Sequence, residues 1–278
     1  MAIISFWSAS EKETGQTLAA TAFATYLGIK HNYKILLVDA TFHDDVMERC
    51  FWKIATQTAV NKLNRGKMDI SSGAEGLVSA VASNKITPEI ITNFTRVVLK
   101  NRLDVLCGLK TEIRDNFTKS LMLYKDLVTI ADKYYDMVLV DLEKTLKADT
   151  TRALLETSHL IVTDFTQNYK QFEEYFGAIS ANKNIFKKDI VIPLLTNADE
   201  CSKYNVKNVS RVLKEKSLNT VLYNPVFKDA ASEAGVANFF LRYGLSTTGN
   251  DKNADFIKAL DELDKTIEYR LEELKYKV

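Results

Sequence analysis

The turn that follows the first apolar segment carries residues suited to holding a phosphate group. It reads SEKETGQT from position 10 to position 17, and Gly15 and Thr17 open the amphipathic segment that comes next. The N–H groups and the dipole at the start of a helix attract anions. In the spacing G-x-x-x-x-G-K-[ST], Ser10 takes the first glycine position and Gln16 takes the lysine position. Two of the four fixed positions are kept, and a match of this size does not by itself identify a phosphate-binding loop.

The same turn also has a purely structural interpretation. Thr14 is a good cap for the first turn of a helix, and Glu11 and Glu13 would complement the helix dipole. The segment would then be only the connection between a strand and a helix. The order of the segments in the rest of the chain decides between the two interpretations.

Short apolar runs alternate with longer amphipathic stretches, which indicates parallel strands covered by helices. The predicted strands are Ile3 to Ser8, Tyr33 to Asp39, Leu103 to Gly108, Met137 to Leu142, His159 to Phe165, Asp189 to Thr196 and Thr220 to Asn224. The predicted helices are Gly15 to Asn32, Glu75 to Ala82, Pro88 to Lys100, Ser120 to Tyr134, Thr150 to Glu156, Tyr169 to Asn182, Tyr204 to Lys216 and Ala254 to Lys275. This alternation predicts a doubly wound, mostly parallel α/β sheet flanked by helices, with residues 1–278 in a single domain.

The composition is that of a soluble globular protein. Of 278 residues, 46% are hydrophobic and 26% are charged, and the formal net charge is +1. This balance lacks the overall positive field of a dedicated nucleic-acid binder. The three cysteines are widely spaced, the N-terminus has no basic segment before a long apolar one, and charges interrupt every apolar run. We therefore expect a cytoplasmic protein without a disulfide framework or a transmembrane segment.

Two apolar segments and one strand-end pair resemble motifs of a known family. The segment YKILLVDAT contains Asp39, the segment YYDMVLVD ends at Asp141, and the pair is Thr196-Asn197. In their order they resemble the second strand, the Walker B strand and the adenine-side asparagine of ParA/MinD-type P-loop ATPases, a family that includes TadZ-like localisation proteins. The resemblance extends over about residues 1–243 and implies the P-loop fold of that family.

The first turn departs from the family pattern at the positions that carry charge. The family's signature lysine falls at Glu11, its two glycines at Lys12 and Glu13, and its phosphate-binding lysine at Gln16. Thr41 replaces the second aspartate of its Asp-x-Asp pattern. The family pattern carries two lysines here, whereas Glu11, Lys12 and Glu13 give a formal charge of −1. One unit charge roughly 6 Å from a phosphate is worth about 3 kcal/mol at an effective dielectric near 20, so we expect a pseudo-ATPase or a very weak ATPase.

The resemblance implies a site for ATP and Mg²⁺, which these departures weaken or abolish. The candidate nucleotide-binding residues are Glu11, Lys12, Gly15, Gln16, Thr17, Asp39, Asp141 and Asn197. The candidate Mg²⁺ ligands, if nucleotide binds, are Thr17, Asp39 and Asp141. Lys12, Lys144 or Lys147 is a candidate replacement for the lost lysine, and no catalytic residue is assigned. In the alternative interpretation, Asp39, Asp141 and Asn197 each cap the turn after a strand.

Basic residues of the predicted helix 204–216 lie on one face. They are Lys203, Lys207, Arg211 and Lys214. This face is either solvated or a contact for non-specific DNA binding, whose affinity would fall steeply with salt.

Two further segments have mainly structural interpretations. The insertion between residues 44 and 73 places Lys62, Arg65 and Lys67 near Phe51 and Trp52, and we expect a helical excursion packed on the sheet edge. The C-terminal amphipathic helix, about residues 254–276, has an acidic polar face. That face disfavours membrane binding and favours packing on the body of the protein or on a second subunit.

Together these features predict a localisation or partitioning factor that keeps the shape and the dimer surfaces of a switch ATPase. It would position a larger assembly, such as a pilus or secretion apparatus, or plasmid or conjugative DNA. Its partners would be a second copy of the chain and a protein of a polar, pilus, secretion or partition complex. The alternative is an ATP-dependent partitioning ATPase with an atypical phosphate-binding loop. The scaffold should dimerise without nucleotide, whereas the enzyme should need ATP.

Overall fold

The computed structural model describes residues 1–11, 13–42, 45–54, 73–83, 86–215, 218–244 and 251–275. Its strands are β1 (Ala2–Trp7), β2 (Ile35–Ala40), β3 (Arg96–Leu99), β4 (Leu103–Leu106), β5 (Met137–Leu142), β6 (Leu160–Phe165), β7 (Val191–Ala198) and β8 (Asn219–Leu222). Its α-helices are α1 (Gln16–Lys30), α2 (Val46–Phe51), α3 (Gly73–Ala82), α4 (Arg114–Leu121), α5 (Tyr124–Ala131), α6 (Asp149–Thr157), α7 (Tyr169–Ala181), α8 (Val206–Leu213), α9 (Pro225–Ser232), α10 (Val236–Tyr243) and α11 (Lys252–Lys275). A 3₁₀ helix spans Pro88–Asn93.

The eight strands form one sheet in the order β3-β4-β2-β5-β1-β6-β7-β8. Every neighbouring pair is parallel except β3 and β4, which are antiparallel. The central strands β1, β2, β5 and β6 are buried along their whole length, as strands covered on both faces must be. The predicted doubly wound, mostly parallel α/β architecture is confirmed.

Helix α1 lies across the middle of one sheet face. It contacts β1, β2, β4 and β5 on one side and α2, α10 and α11 on the other. Phe23 and Leu27 are completely buried in this layer. The opposite sheet face is covered by α3 to α6, which contribute Phe117, Tyr124 and Leu155 to a second core. The sheet is therefore the middle of three layers, and α1 begins at the carboxyl end of the central strand β1.

The predicted helix from Pro88 to Lys100 is wrong. After the short 3₁₀ helix, Arg96–Leu99 forms the edge strand β3, which turns back antiparallel onto β4. The consecutive β-branched residues Val97 and Val98 suit an extended backbone, and Asn101 adopts the left-handed conformation (φ 59°) in the turn between the strands. Propensity for a strand and the tight turn outweigh the amphipathic pattern here.

Helix α8 is shorter than predicted, because Asn205 caps its first turn and Lys214 ends it in the left-handed conformation. The structure also contains three helices that the sequence analysis did not identify, namely α4, α9 and α10, whereas α2 lies in the insertion that was predicted to be helical. Most of the predicted insertion, including Lys62, Arg65 and Lys67, lies outside the described residues. In the described part, Trp52 packs under the guanidinium of Arg96, 3.7 Å from the ring centroid.

The C-terminal helix α11 packs on the body of the chain, which is one of the two arrangements that the sequence predicted. It contacts β6, β8, α1 and α10. Asp264, which interrupts its apolar stripe, is completely buried and accepts hydrogen bonds from Lys30 (2.8 Å) and His31 (2.7 Å) at the end of α1. Asp261 accepts from Tyr26 at 2.8 Å and also pairs with Lys30 and Lys265. Burial opposes the charge of Asp261, but these hydrogen bonds outweigh it and hold its pKa below the usual range.

Within the ranges given above, no helix is both long enough and apolar enough to cross a lipid bilayer.

The buried contact of Asp264 with Lys30 and His31 should contribute measurably to stability. We expect Asp264→Asn to lower the free energy of unfolding by about 2 kcal/mol, because it weakens the charged hydrogen bonds of a completely buried carboxylate. Lys265→Ala is the control, since its ion pair with Asp261 is solvent-exposed and worth less than about 0.5 kcal/mol. Urea denaturation measures both changes, and equal losses would contradict the role assigned to Asp264.

Candidate functional site

The carboxyl ends of β1, β2 and β5 meet at the start of α1. In open parallel sheets, ligands bind at this edge, where connections leave neighbouring strands in opposite directions. Here β1 lies between β5 and β6, and α1 begins directly after the turn that follows β1. The first turn singled out in the sequence therefore occupies the position of a ligand-binding loop.

Gly15 caps the start of α1 in a conformation that other residues rarely adopt. Its φ is 73°, and a Cβ atom at this position would approach Asn197 Nδ2 to 2.9 Å. Asn197 itself has a positive φ (50°) where the pairing of β7 with β8 is irregular between Thr196 and Ala198. Thr196 bonds the backbone carbonyl of Thr14 through its hydroxyl. The end of β7 thus positions the first turn of α1, and Asn197 lies against Gly15.

Gln16 holds the position that the family resemblance gives to a phosphate-binding lysine. Its side chain is buried and turned toward β5, where Nε2 donates to Asp141 Oδ1 and to the carbonyl of Leu142, each at 2.6 Å. Its Oε1 has no hydrogen-bond partner among the residues that the structure describes. The side chain therefore fastens α1 to β5 and brings no positive charge to the loop.

Asp39 and Asp141 are directly opposite each other in the pairing of β2 with β5, and both are buried. Asp39 Oδ1 accepts hydrogen bonds from the amide (3.0 Å) and hydroxyl (2.6 Å) of Thr41. This contact is the turn cap of the structural interpretation, whereas Asp141 contacts Gln16 instead. With Thr17 they form a set of hard oxygen donors of the kind that Mg²⁺ prefers, so the residue types fit the ion.

Two clefts flank the first turn of α1 and share Gln16, Thr17 and Lys144 in their walls. The first cleft, about 470 Å³, extends toward the ends of β7 and β8 and is lined by Asn197 and Tyr223. The second cleft, about 410 Å³, extends toward the loop after β5 and is lined as follows: Glu11, Thr41, Phe42, Arg114, Leu142, Glu143, Thr145, Lys147, Ala148 and Thr151. Both volumes are in the range of small-molecule sites.

The residues that line the two clefts include more basic side chains than acidic ones, whereas residues 11–13 alone carry a formal charge of −1. The acidic lining residues are Glu11, Glu13 and Glu143, and the basic ones are Arg114, Lys144, Lys147 and Lys228. Glu11 pairs with Lys147, and the hydrogen bond and charge of that lysine lower the pKa of the Glu11 carboxyl. Glu143 accepts a bidentate salt bridge from the two terminal nitrogens of Arg114. Among the described lining residues, basic side chains thus outnumber acidic ones, and two of the acids are neutralised locally.

Asp164 is a buried acid that the sequence analysis missed. It lies near the end of β6 with 2% of its surface exposed, and neither carboxylate oxygen has a hydrogen-bond partner in the described part of the chain. Burial and the nearby charge of Asp141 raise its pKa well above the usual range, and Lys144 opposes the shift. A lone aspartate inside the apolar segment LIVTDF is the sequence signal that identifies it.

The remaining candidates are placed as follows. Lys12 lies outside the described residues. Lys203, Lys207, Arg211 and Lys214 are all exposed, but only Lys207 and Arg211 belong to α8, whose buried face carries Val209 and Leu213. A DNA contact by these residues stays a prediction.

Comparison with solved structures shows the fold. A ParA family ATPase from Chlorobium tepidum TLS superposes with a TM-score of 0.68 at 17% identity, over 92% of this chain and 97% of that one. A plasmid partition protein from Borrelia burgdorferi B31, bound to AMPPNP, superposes with a TM-score of 0.61 at 17% identity, over 100% of this chain and 99% of that one. The MinD protein from Pyrococcus horikoshii OT3, in complex with Mg-ADP, superposes with a TM-score of 0.65 at 14% identity, over 97% of this chain and 98% of that one. No protein-family model matches the sequence, and no curated protein is significantly similar to it.

The chain therefore has the fold of the P-loop ATPases. Within that class it has the ParA/MinD type of fold, the architecture of partitioning and positioning ATPases, which the sequence motifs predicted.

The close contact between Gly15 and Asn197 leads to a prediction. We expect Gly15→Ala to destabilise the protein by about 1–2 kcal/mol, because alanine is strained at this φ and its Cβ would collide with Asn197. Gly177→Ala is the matched control: Gly177 lies inside α7 with no atom near its Cβ position, so the change should stabilise by roughly 0.5–1 kcal/mol. Urea denaturation distinguishes the two signs, and a neutral Gly15→Ala would contradict the contact.

Asp164 should make stability depend on pH. The unfolded residue ionises near its ordinary pKa of about 3.9, whereas the folded residue keeps its proton to higher pH, so stability falls as pH rises above about 4. In Asp164→Asn, the free energy of unfolding should fall less steeply with pH, by up to about 1.4 kcal/mol per pH unit. Urea denaturation at pH 5, 6 and 7 tests it, with the exposed Asp115→Asn as control. Parallel profiles for wild type and Asp164→Asn would contradict the buried, protonated state.

Proposed function

We propose that this chain is a ParA/MinD-type positioning factor with a degenerate nucleotide site. It would act as a localisation or partitioning factor for a larger assembly, either a pilus or secretion apparatus or plasmid or conjugative DNA. In this proposal it is a pseudo-ATPase, or at most a very weak ATPase, that works in the cytoplasm as a homodimer. A protein of the polar, pilus, secretion or partition complex would recruit it to the assembly.

The contact of Gln16 with β5 is the observation that supports this proposal most strongly. A phosphate-binding lysine at this position would bring an ammonium group to the loop, but the amide of Gln16 is neutral and held by Asp141 and Leu142. Catalysis of phosphoryl transfer depends on compensating the negative charge that develops in the transition state. An uncharged side chain directed away from the loop cannot supply that compensation. We therefore derive no hydrolytic step for this site.

Binding is less affected than hydrolysis, because backbone N–H groups at a helix start supply much of the contact with a phosphate. Gly15 keeps a positive φ at the start of α1, and Thr17 lines both clefts. The Borrelia partition protein is bound to AMPPNP and the Pyrococcus MinD to Mg-ADP, which makes a nucleotide with Mg²⁺ the first ligand to test. Thr17, Asp39 and Asp141 would hold the ion, whose role would be to neutralise phosphate charge.

The second candidate function is an ATP-dependent partitioning ATPase with an atypical loop. The excess of basic over acidic residues around the two clefts favours it, because the site as a whole is less negative than residues 11–17 suggest. The two functions differ in when the dimer forms. The positioning factor should dimerise without nucleotide, whereas the enzyme should dimerise only with ATP.

Restoring the two family lysines tests the proposed function. We expect the wild-type protein to show no ATP turnover, and Glu11→Lys/Gln16→Lys to bind ATP with Mg²⁺ at least ten-fold more tightly, since each added charge near a phosphate is worth about 1–3 kcal/mol. Calorimetric titration measures binding, and phosphate release measures turnover. Gln16→Met is the control, because it breaks the contacts with Asp141 and Leu142 without adding charge.

Sedimentation of the wild-type protein with and without ATP gives the second readout. A dimer of the same stability in both conditions supports the positioning factor. A dimer that forms only with ATP, or turnover by the wild-type protein, would overturn the proposal and favour the partitioning enzyme.

A further inference from the structure

Lys144 is the basic residue placed between the two clefts. It follows Asp141 by three residues, in the loop that leaves the central strand β5. It lines both clefts, together with Gln16 and Thr17 at the start of α1. A ligand that spans the two clefts would therefore have this side chain in the wall of both.

The other basic residues around the clefts, Lys147, Arg114 and Lys228, each line only one of the two clefts. Lys147 pairs with Glu11, and Arg114 pairs with Glu143 while its guanidinium lies over the rings of Phe42 and Phe117. The ammonium of Lys228 lies over the Tyr223 ring, 6.0 Å from its centroid. Among the described lining residues, Lys144 is thus the basic residue that both clefts share.

The polar groups beneath the turn also indicate where a positive charge belongs. Gln16 Oε1 is a buried acceptor without a hydrogen-bond partner among the described residues, and it belongs to a residue that shares both clefts with Lys144. A buried acceptor that lacks a donor is stabilised by a nearby cation, and an anion alone would destabilise it.

We propose that Lys144 replaces the missing loop lysine and binds the polyphosphate chain of a nucleotide across the first turn of α1. The positive charge would then come from the loop after β5, while the backbone N–H groups of α1 and the geometry of Gly15 supply the rest of the contact. The inference rests on the proposed function, since it names the residue that binds the ligand of that site. It assigns binding to Lys144 and assigns it no part in hydrolysis.

Exchange of the charge between positions 144 and 16 gives the sharpest test. The probes are a fluorescent ATP analogue with Mg²⁺ and inorganic tripolyphosphate, which distinguish a nucleotide from a bare phosphate chain. Lys144→Gln should weaken binding of the ATP analogue at least ten-fold, Lys144→Arg should retain most of it, and the exchange variant Gln16→Lys/Lys144→Gln should restore it at unchanged net charge. Weaker binding of tripolyphosphate than of the analogue is expected if the first cleft holds the base.

Two controls separate a local effect from loss of charge or of folding. Lys187→Ala removes an exposed lysine just before the amino end of β7, whereas the clefts lie at the carboxyl ends of the strands. This variant should bind within two-fold of wild type. Thermal unfolding of every variant shows whether it is folded, and Lys144→Arg keeps the test valid if Lys144→Gln is unstable.

The outcomes also separate this inference from the proposed function. Undiminished binding by Lys144→Gln, or no binding by the wild type, would overturn the role of Lys144 and leave the positioning factor without turnover intact. Binding that depends on Lys144 together with turnover by the wild type would support the inference and overturn the proposed function. Equal binding of tripolyphosphate and the analogue would overturn the nucleotide as the ligand.

Discussion

The attachment of α1 to β5 through Gln16 is the contact on which the rest of the site depends. A side chain at the first position of a helix is normally free to leave the loop and meet a ligand. Here its amide donates two hydrogen bonds of 2.6 Å to the strand end, in a place where solvent does not compete. The first turn of α1 is thereby held rigidly against the sheet, and Gly15 and Thr17 keep their positions without a lysine between them.

A change of charge along the sequence is not the same as a change of charge in space. Residues 11–13 turn the loop acidic, yet Glu11 meets Lys147, which is distant in the sequence, and Glu143 meets Arg114. The loop after β5 contributes two lysines to the walls of the clefts, Lys144 and Lys147. Hence the charges that line the clefts come from loops that follow different strands, and a count over residues 11–13 alone does not describe them.

The sequence predicted the architecture well because buried parallel strands leave a strong pattern. Segments such as IISFW and MVLVDL are almost entirely apolar, and the positions of Asp39 and Asp141 near strand ends, and of Gly15 and Thr17 at the start of α1, followed from them. The errors fall where tertiary contacts or turns decide. Strand β3 is an edge strand fixed by the turn at Asn101, and the helices α9 and α10 are short segments that are stable only through packing against the body.

The parts of the site that the sequence did not reveal depend on contacts between distant segments. Nothing local shows that the amide of Gln16 turns to Asp141, that Asn197 lies against Gly15, or that Asp164 is buried beside them. Asn197 and Gly15 both need a positive φ, and each limits the space of the other. Such pairings are properties of the sheet order, which brings the ends of β5, β6 and β7 around one turn.

Buried polar atoms without partners cost stability, and their location is therefore informative. Within the described residues such atoms occur in several parts of the fold, and four of them, Thr14 Oγ1, Gln16 Oε1 and both carboxylate oxygens of Asp164, lie around the start of α1 and near the end of β6. A turn that served only to connect β1 to α1 would gain stability from apolar side chains at these positions. Local rules of folding fail most often where a site binds something. Partnerless polar atoms at this turn therefore agree with its place at the carboxyl ends of the parallel strands, where open sheets of this kind bind ligands.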